Sequence, residues 1–300
     1  MSERRPRRTG CSGGTGVDEV VVWADGRLRD AGAPVLTALD HGVTVGDAVF
    51  ETCGVVRNHA FALTRHLARL VRSATGLGLD APDVDAIRSA VAEVLAARPG
   101  LGRVRITVTA GLGPLGSGRT PGRQSILVVA GSAAPPQPVA VVRVPWVRNE
   151  RSAVAGLKTT SYAENVVALA AAAARGAGEA LLANTVGELC EGTGTNVFVE
   201  RHGELVTPPL SSGCLAGITR ALVLEWSAAA GLPVREAEPG ELAWTVLDEA
   251  AAGTAQLAVS GSVRTFVPVT ALDGVDLQVG PITRAVAALY REREAADVDP

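Results

Sequence analysis

The chain has 300 residues, 47% of them hydrophobic and 20% charged, which suits about two globular domains and excludes a largely disordered protein. A net charge of −3 and an aromatic content of 3% give no field or stacking surface for nucleic acid and no attraction to an anionic membrane. The longest apolar run, Val166 to Ala174, stops at Arg175, far short of the roughly 20 residues that span a bilayer.

Met1 to Gly16 carries Arg4, Arg5, Arg7 and Arg8 with no apolar core behind them, and reads as a disordered extension rather than a signal or anchor. Val20 to Trp23 reads as a strand, turned at Asp25-Gly26. Val49 to Val56 and Ala60 to Leu63 suggest a hairpin through Arg57-Asn58-His59. Helical spacing follows over Leu63 to Thr75 (Leu67, Leu70, Val71). It recurs over Asp83 to Ala97, with Val84, Ile87, Val91 and Val94 on one face. Strands are expected at Val104 to Val108 and Ser125 to Val129, around a Gly-rich loop, Gly111 to Gly122. Gly131 to Pro138 holds three prolines in eight residues and reads as a linker. This predicts a small domain at 17–130, a linker at 131–138 and a large domain at 139–300. Beyond the linker come a strand at Val139 to Val144 and a helix at Tyr162 to Arg175. Short strands follow at Glu179 to Ala183, Val197 to Glu200 and Glu204 to Val206. Helices are expected at Thr219 to Ala230 and Ile282 to Arg293. The class is mixed α/β, without the regular alternation of a doubly wound sheet and without a GxGxxG turn.

Cys11, Cys53, Cys190 and Cys214 form no CxxC pair, and the four histidines show no HxxxH or HExxH spacing. Neither a disulfide framework nor a metal centre is expected, and a cytoplasmic location fits best.

Of the 28 basic residues, Lys158 alone is a lysine. Arginine replaces lysine where only a solvated charge is needed, but it cannot lose its proton and attack a carbonyl. A solitary lysine is therefore a candidate Schiff-base nucleophile, with chance survival of a surface lysine as the alternative. Pyridoxal phosphate chemistry needs such a lysine, an acidic partner for a pyridine nitrogen and a phosphate cup. Glu191 and Glu188, in GELCEGTGTN, are both candidates for the acid. Gly213 and Gly217 precede a helix that begins near Thr219, where free N–H groups and a hydroxyl suit a phosphate. An ordinary helix cap is the alternative.

Three stretches carry a resemblance to the class IV aminotransferase family: DHGVTVGDAVFET with RHLARL, LKTTSYAEN, and GELCEGTGTNVFVE through TPPLSSGCLAGITR. The resemblance implies the two-domain fold type IV of pyridoxal 5'-phosphate enzymes, a small-molecule amino substrate and a homodimer. It implies that Lys158 is the Schiff-base lysine and proton carrier, and that Glu191 rather than Glu188 meets the ring nitrogen. Arg69 would hold the phosphate, with Ile218 and Thr219 capping it. Gly261 and Ser262, in LAVSGSVRTFVPV, would complete the cup. Gly253-Thr254-Ala255 lies too far from Pro268-Val269 for that role. Tyr162 would stand near the ring's phenolic oxygen.

The family includes branched-chain and D-amino-acid aminotransferases and 4-amino-4-deoxychorismate lyase. FETCGV and KTTSYAEN resemble the lyase-like members. Ala110 stands where several members carry a carboxylate-binding Arg, and Arg119 and Arg123 are candidate substitutes against a reading as solvated loop charge. The lyase, which releases pyruvate and p-aminobenzoate for folate biosynthesis, is the expected activity. An amino-acid aminotransferase is the alternative, and a catalytically inert homologue a third reading.

Overall fold

The structure is a computed structural model and describes residues 20–300. The expected N-terminal extension and Cys11 lie outside the described residues.

The first part of the chain builds a six-stranded antiparallel sheet with two helices on one face. Its elements are β1 (Val21–Ala24), β2 (Arg27–Arg29), α1 (His41–Thr44), β3 (Ala48–Val56), β4 (His59–Ala60), α2 (Leu63–Gly76), α3 (Val84–Ala97), β5 (Arg103–Thr109) and β6 (Ser125–Gly131). The strand order is β2-β1-β6-β5-β3-β4. Asp25 (φ 49°) and Gly26 (φ 92°) turn the first hairpin, and Arg57 (φ 49°) with Asn58 (φ 65°) turn the second. Positive φ at both central residues matches the right-handed twist of the flanking strands. The second hairpin's return strand stops at Ala60, three residues earlier than the sequence suggests, because α2 takes over at Leu63.

Alternation along these strands decides what each face does. Val49 and Cys53 of β3, and Val104, Ile106 and Val108 of β5, point to α2 and α3 and pack with Leu67, Leu70, Ile87 and Val91. Phe50 and Thr52 of β3, with Arg103 and Arg105 of β5, occupy the opposite face, and all four line the large cavity described below.

The second part forms a nine-stranded mixed sheet. Its elements are β7 (Val139–Arg148), α4 (Ala163–Ala174), β8 (Glu179–Asn184), β9 (Leu189–Gly192), β10 (Asn196–Arg201), β11 (Glu204–Thr207), α5 (Ile218–Ala229), β12 (Val234–Glu236), α6 (Val246–Ala251), β13 (Gln256–Gly261), β14 (Thr265–Leu272), β15 (Val275–Asp276) and α7 (Pro281–Ala296). The order is β12-β11-β10-β13-β14-β7-β8-β9, with β15 on β14. Val197, Val199, Leu257 and Val259 face α6, while the intervening Phe198 and Ala258 face α5 and α7. α4 covers Val142, Val144, Ala180 and Leu182 of β7 and β8. β7 runs four residues beyond the expected Val144, with its register shifting between Arg143 and Val147, around Pro145. That extension carries Arg148 to the cavity. No helix of the described residues is long and apolar enough to cross a membrane.

Candidate active site

A cavity of about 1240 Å³ opens between the two sheets, and both contribute side chains to it. Lys158 enters on the segment between β7 and α4, yet that segment is held by the first sheet. Phe50 N donates to Lys158 O (3.0 Å), Lys158 N donates to Ser73 Oγ of α2 (3.1 Å), and Thr159 bridges Val49. Nζ lies 4.5 Å from the centroid of the Phe50 ring and 5.9 Å from that of Tyr162. Burial, then the Arg69 charge, pushes the amine down to about 8, although Glu51 and Glu191 pull it up. An amine near that value keeps a reactive neutral fraction at ordinary pH, which a solvated lysine lacks.

Glu191, on β9, is buried at the cavity wall. Its Oε1 accepts from Arg148 Nε (3.1 Å) and its Oε2 from Leu215 N (2.9 Å). Burial raises its carboxyl above the ordinary range, opposed by Arg148, the Leu215 N–H and Lys158. Arg148 also reaches Asn165 Oδ1 from Nη2 (3.1 Å). Glu188 lies elsewhere, on a turn, where it accepts from Asn184 Nδ2 (2.7 Å) and Gly240 N (2.7 Å). The Tyr162 hydroxyl donates to Thr193 O (3.0 Å), and Asn165 Nδ2 shares that carbonyl. Buried Glu179 fixes the loop from below, accepting from Thr193 N (2.8 Å) and Thr195 Oγ1 (3.0 Å).

Arg69 projects from α2 and is buried. Its Nε and Nη2 grip Glu51 at 2.7 Å each, and Nη1 donates to Ala216 O (2.9 Å). His66 Nδ1 lies 2.6 Å from the same carboxylate. These partners hold the Glu51 carboxyl down at about 2 despite its burial, whereas burial lowers His66. Ala216 leads into α5, whose start has no side-chain cap and whose Ile218 and Thr219 line the cavity. A Cβ on Gly217 would fall 2.0 Å from Asn196 Oδ1, so only glycine fits there. Gly261 and Ser262 line the cavity at the end of β13, and a Cβ on Gly54 would sit 2.8 Å from Ser262 O. Gly253 to Ala255 form the turn after α6 and do not line the cavity.

The structure corrects one substitute for the missing carboxylate ligand. Arg119 is bound to Asp47 at 2.6 Å through both Nε and Nη2, and to Leu77 O and Gly78 O, so it pins the 111–124 loop to the end of α2. Neither it nor Arg123 lines the cavity, and Ala110 packs against the first core. Besides Arg69 and Arg148, the arginines that line it are Arg103 and Arg105 of β5 and Arg264. Among the described residues Arg103 and Arg105 have no carboxylate partner, and Arg105 stacks on Phe50 at 3.8 Å. They stand two residues apart on a strand, a spacing that itself puts them on one face.

An uncapped helix start beside a buried guanidinium, a buried amine of lowered pKa and a buried carboxylate across the cavity suit an anionic, carbonyl-bearing heterocycle. The tight glycine at 217 lets such an anion approach the α5 backbone.

Comparison with known proteins agrees. The class IV amino-transferase family model matches residues 48–272. A Methanocaldococcus jannaschii protein provisionally named a branched-chain-amino-acid aminotransferase is 31% identical over 281 residues, 90% of this chain and 95% of its own. The bifunctional aminodeoxychorismate lyase / D-amino acid transaminase of Mycobacterium tuberculosis is 31% identical over 242 residues, 71% of this chain and 79% of its own. The solved branched-chain aminotransferase of Thermoproteus uzoniensis superposes with a TM-score of 0.83 at 30% identity, covering 93% of this chain and 95% of that one. The chain belongs to the class IV aminotransferase family. Its fold is the fold type IV architecture, and the cofactor of the family is pyridoxal 5'-phosphate. It is an enzyme acting on small-molecule amino substrates.

Proposed function

We propose that this enzyme is a 4-amino-4-deoxychorismate lyase, and that Arg103 and Arg105 carry the distinction. The substrate bears two carboxylates, one on its ring and one on the enolpyruvyl arm. Two arginines without carboxylate partners among the described residues, on the face of β5 that lines the same cavity as Lys158, supply two matching forks. Phe50 in FETCGV, stacked under Arg105, gives the substrate ring an apolar floor.

In this reading Arg69, the α5 start at Ile218 and Thr219, and the Gly261–Ser262 turn hold the cofactor phosphate. Glu191 faces the ring nitrogen, Tyr162 the phenolic oxygen, and Lys158 is the covalent anchor. Pyridoxal phosphate supplies an electron sink for the carbanion. Lys158 Nζ takes the proton from the substrate carbon, which its lowered pKa favours. Glu191, kept in place by Arg148 and Leu215 N–H, maintains a proton on the ring nitrogen. Arg103 and Arg105 hold the ring and arm carboxylates and so orient the leaving arm.

A second reading, an amino-acid aminotransferase, is favoured by the likeness to the Thermoproteus uzoniensis enzyme. The two divide on one experiment. With aminodeoxychorismate and no 2-oxo acid, a lyase releases p-aminobenzoate and pyruvate in equal amounts over many turnovers. An amino-acid aminotransferase releases neither product, and an added amino acid leaves its cofactor as the amine. The second result would overturn the lyase reading. The division at a 131–138 linker, a place in folate biosynthesis and a cytoplasmic location belong to the same proposal. So does a homodimer, which the exposed Leu112 and Leu115 of the 111–124 loop support.

A further inference from the structure

Helix α2, which carries Arg69, begins without a cap of its own. The residue before it, Ala62, is left-handed (φ 53°, ψ 35°) and has no side chain that could accept a hydrogen bond. The acceptors come from the far end of the chain. Ala62 N donates to Val298 O (2.8 Å), Thr64 N to Asp299 Oδ1 (2.8 Å) and the Thr64 hydroxyl to Asp299 Oδ2 (2.6 Å). These residues follow α7, which is packed on α5 through Tyr290 against Trp226, with ring centroids 5.2 Å apart.

A third link closes the figure. Arg65 of α2 grips Glu225 of α5 through Nη1 and Nη2, at 2.8 Å each, while its Nε donates to Pro300 O (2.7 Å). One turn further along α2, Arg69 reaches Ala216 O, just ahead of α5. Helices α2, α5 and α7 therefore form a closed triangle. Arg69 sits on one side of it and Ile218–Thr219 on another.

We propose that Asp299 and the Arg65–Glu225 pair are positioning residues: they brace α2 against α5 and so set the span of the anion seat between Arg69 and the start of α5. The proposal rests on that seat's holding the cofactor phosphate. Arg65 and Glu225 are 34% and 49% exposed at their side chains, where an ion pair adds little to global stability. Their effect therefore falls on geometry. A helix whose first turn is capped from another element keeps its register only while that element stays docked.

The test uses the full chain carrying Asp299→Asn with Glu225→Gln, titrated with pyridoxal 5'-phosphate and, separately, with pyridoxal, which lacks the phosphate. Binding is read from the cofactor's visible absorbance. The double variant is expected to bind the phosphorylated cofactor about tenfold more weakly and to bind pyridoxal as before. The milder Thr64→Val, which removes one bond to Asp299, should move the same ratio less far. The melting temperature of each cofactor-free protein checks that it is folded. Glu204→Gln, which disturbs an equally exposed pair with Arg235 far from α2, should leave the ratio alone. Equal weakening of both ligands, or no change in either, overturns the brace. If the unaltered chain showed no preference for the phosphorylated form, the anion seat itself would be refuted.

Discussion

Arg148 places its Nε 3.1 Å from Oε1 of Glu191, at the end of a strand that a proline would ordinarily have terminated. The guanidinium opposes the burial that pushes this carboxyl up and fixes the direction in which it faces the cavity. Glu191→Gln should leave cofactor bound but slow proton abstraction about a hundredfold, the scale set by removing one pre-aimed electrostatic group. Glu188→Gln should be mild, since Glu188 only closes a turn through Asn184 and Gly240. Stopped-flow absorbance with substrate separates the two, and a reversed order would move the assignment to Glu188.

Lys158→Arg should abolish turnover although the charge is kept, because guanidinium cannot form an imine. In the unaltered protein, uptake of the cofactor aldehyde should accelerate as pH rises through about 8, where the buried amine loses its proton. A flat rate between pH 7 and 9, measured in excess cofactor, would contradict a lowered pKa at Lys158.

Glu51 is a buried counter-charge for both Arg69 and His66. Its carboxyl is held at about 2 in the folded protein, below its ordinary value, so its contribution is complete above about 4.5 and is lost as pH falls toward 2. Glu51→Gln leaves Arg69 buried without that partner and should cost about 3–5 kcal/mol. It should also flatten the acid limb of the stability curve between pH 4.5 and 2. Denaturant melts across that range measure both effects.

Arg105→Ala should raise KM for aminodeoxychorismate at least about tenfold, the scale of one charge-assisted fork, and Arg103→Ala should act in the same direction. Pyridoxal phosphate binding should be unaffected. Equal KM values for the two variants and the unaltered enzyme would remove both arginines from substrate recognition.

Much of the fold is written locally. Leu67 and Leu70 announce α2, Ile87, Val91 and Val94 announce α3, and Asp25-Gly26 announces the first hairpin. Short elements such as α1, β12, β15 and α6 escape, because four to six residues or fewer give no period to read and are held by tertiary contacts. At the site, Lys158 stands out as a lone amine, and family resemblance supplies Arg69, Glu191 and Thr219. Glu51, His66, Arg105 and Arg148 do not stand out. Their significance lies in pairings across the fold, such as Glu51 with Arg69, which no local pattern encodes. Arg103 and Arg105 had a signal, alternate charge along a strand, which became informative only once that face was seen to line a cavity.

Lys158 hangs from the backbone of β3, although its own segment lies between two elements of the other sheet. The reactive amine therefore cannot reach its place until both sheets have formed and docked. Contacts so distant in sequence close late, because the loop entropy must be met first. In a refolding experiment the recovery of helix and sheet signals should precede the capacity to colour with cofactor. The yellow of the reconstituted enzyme thus becomes a clock for the final docking step, distinct from collapse of either half.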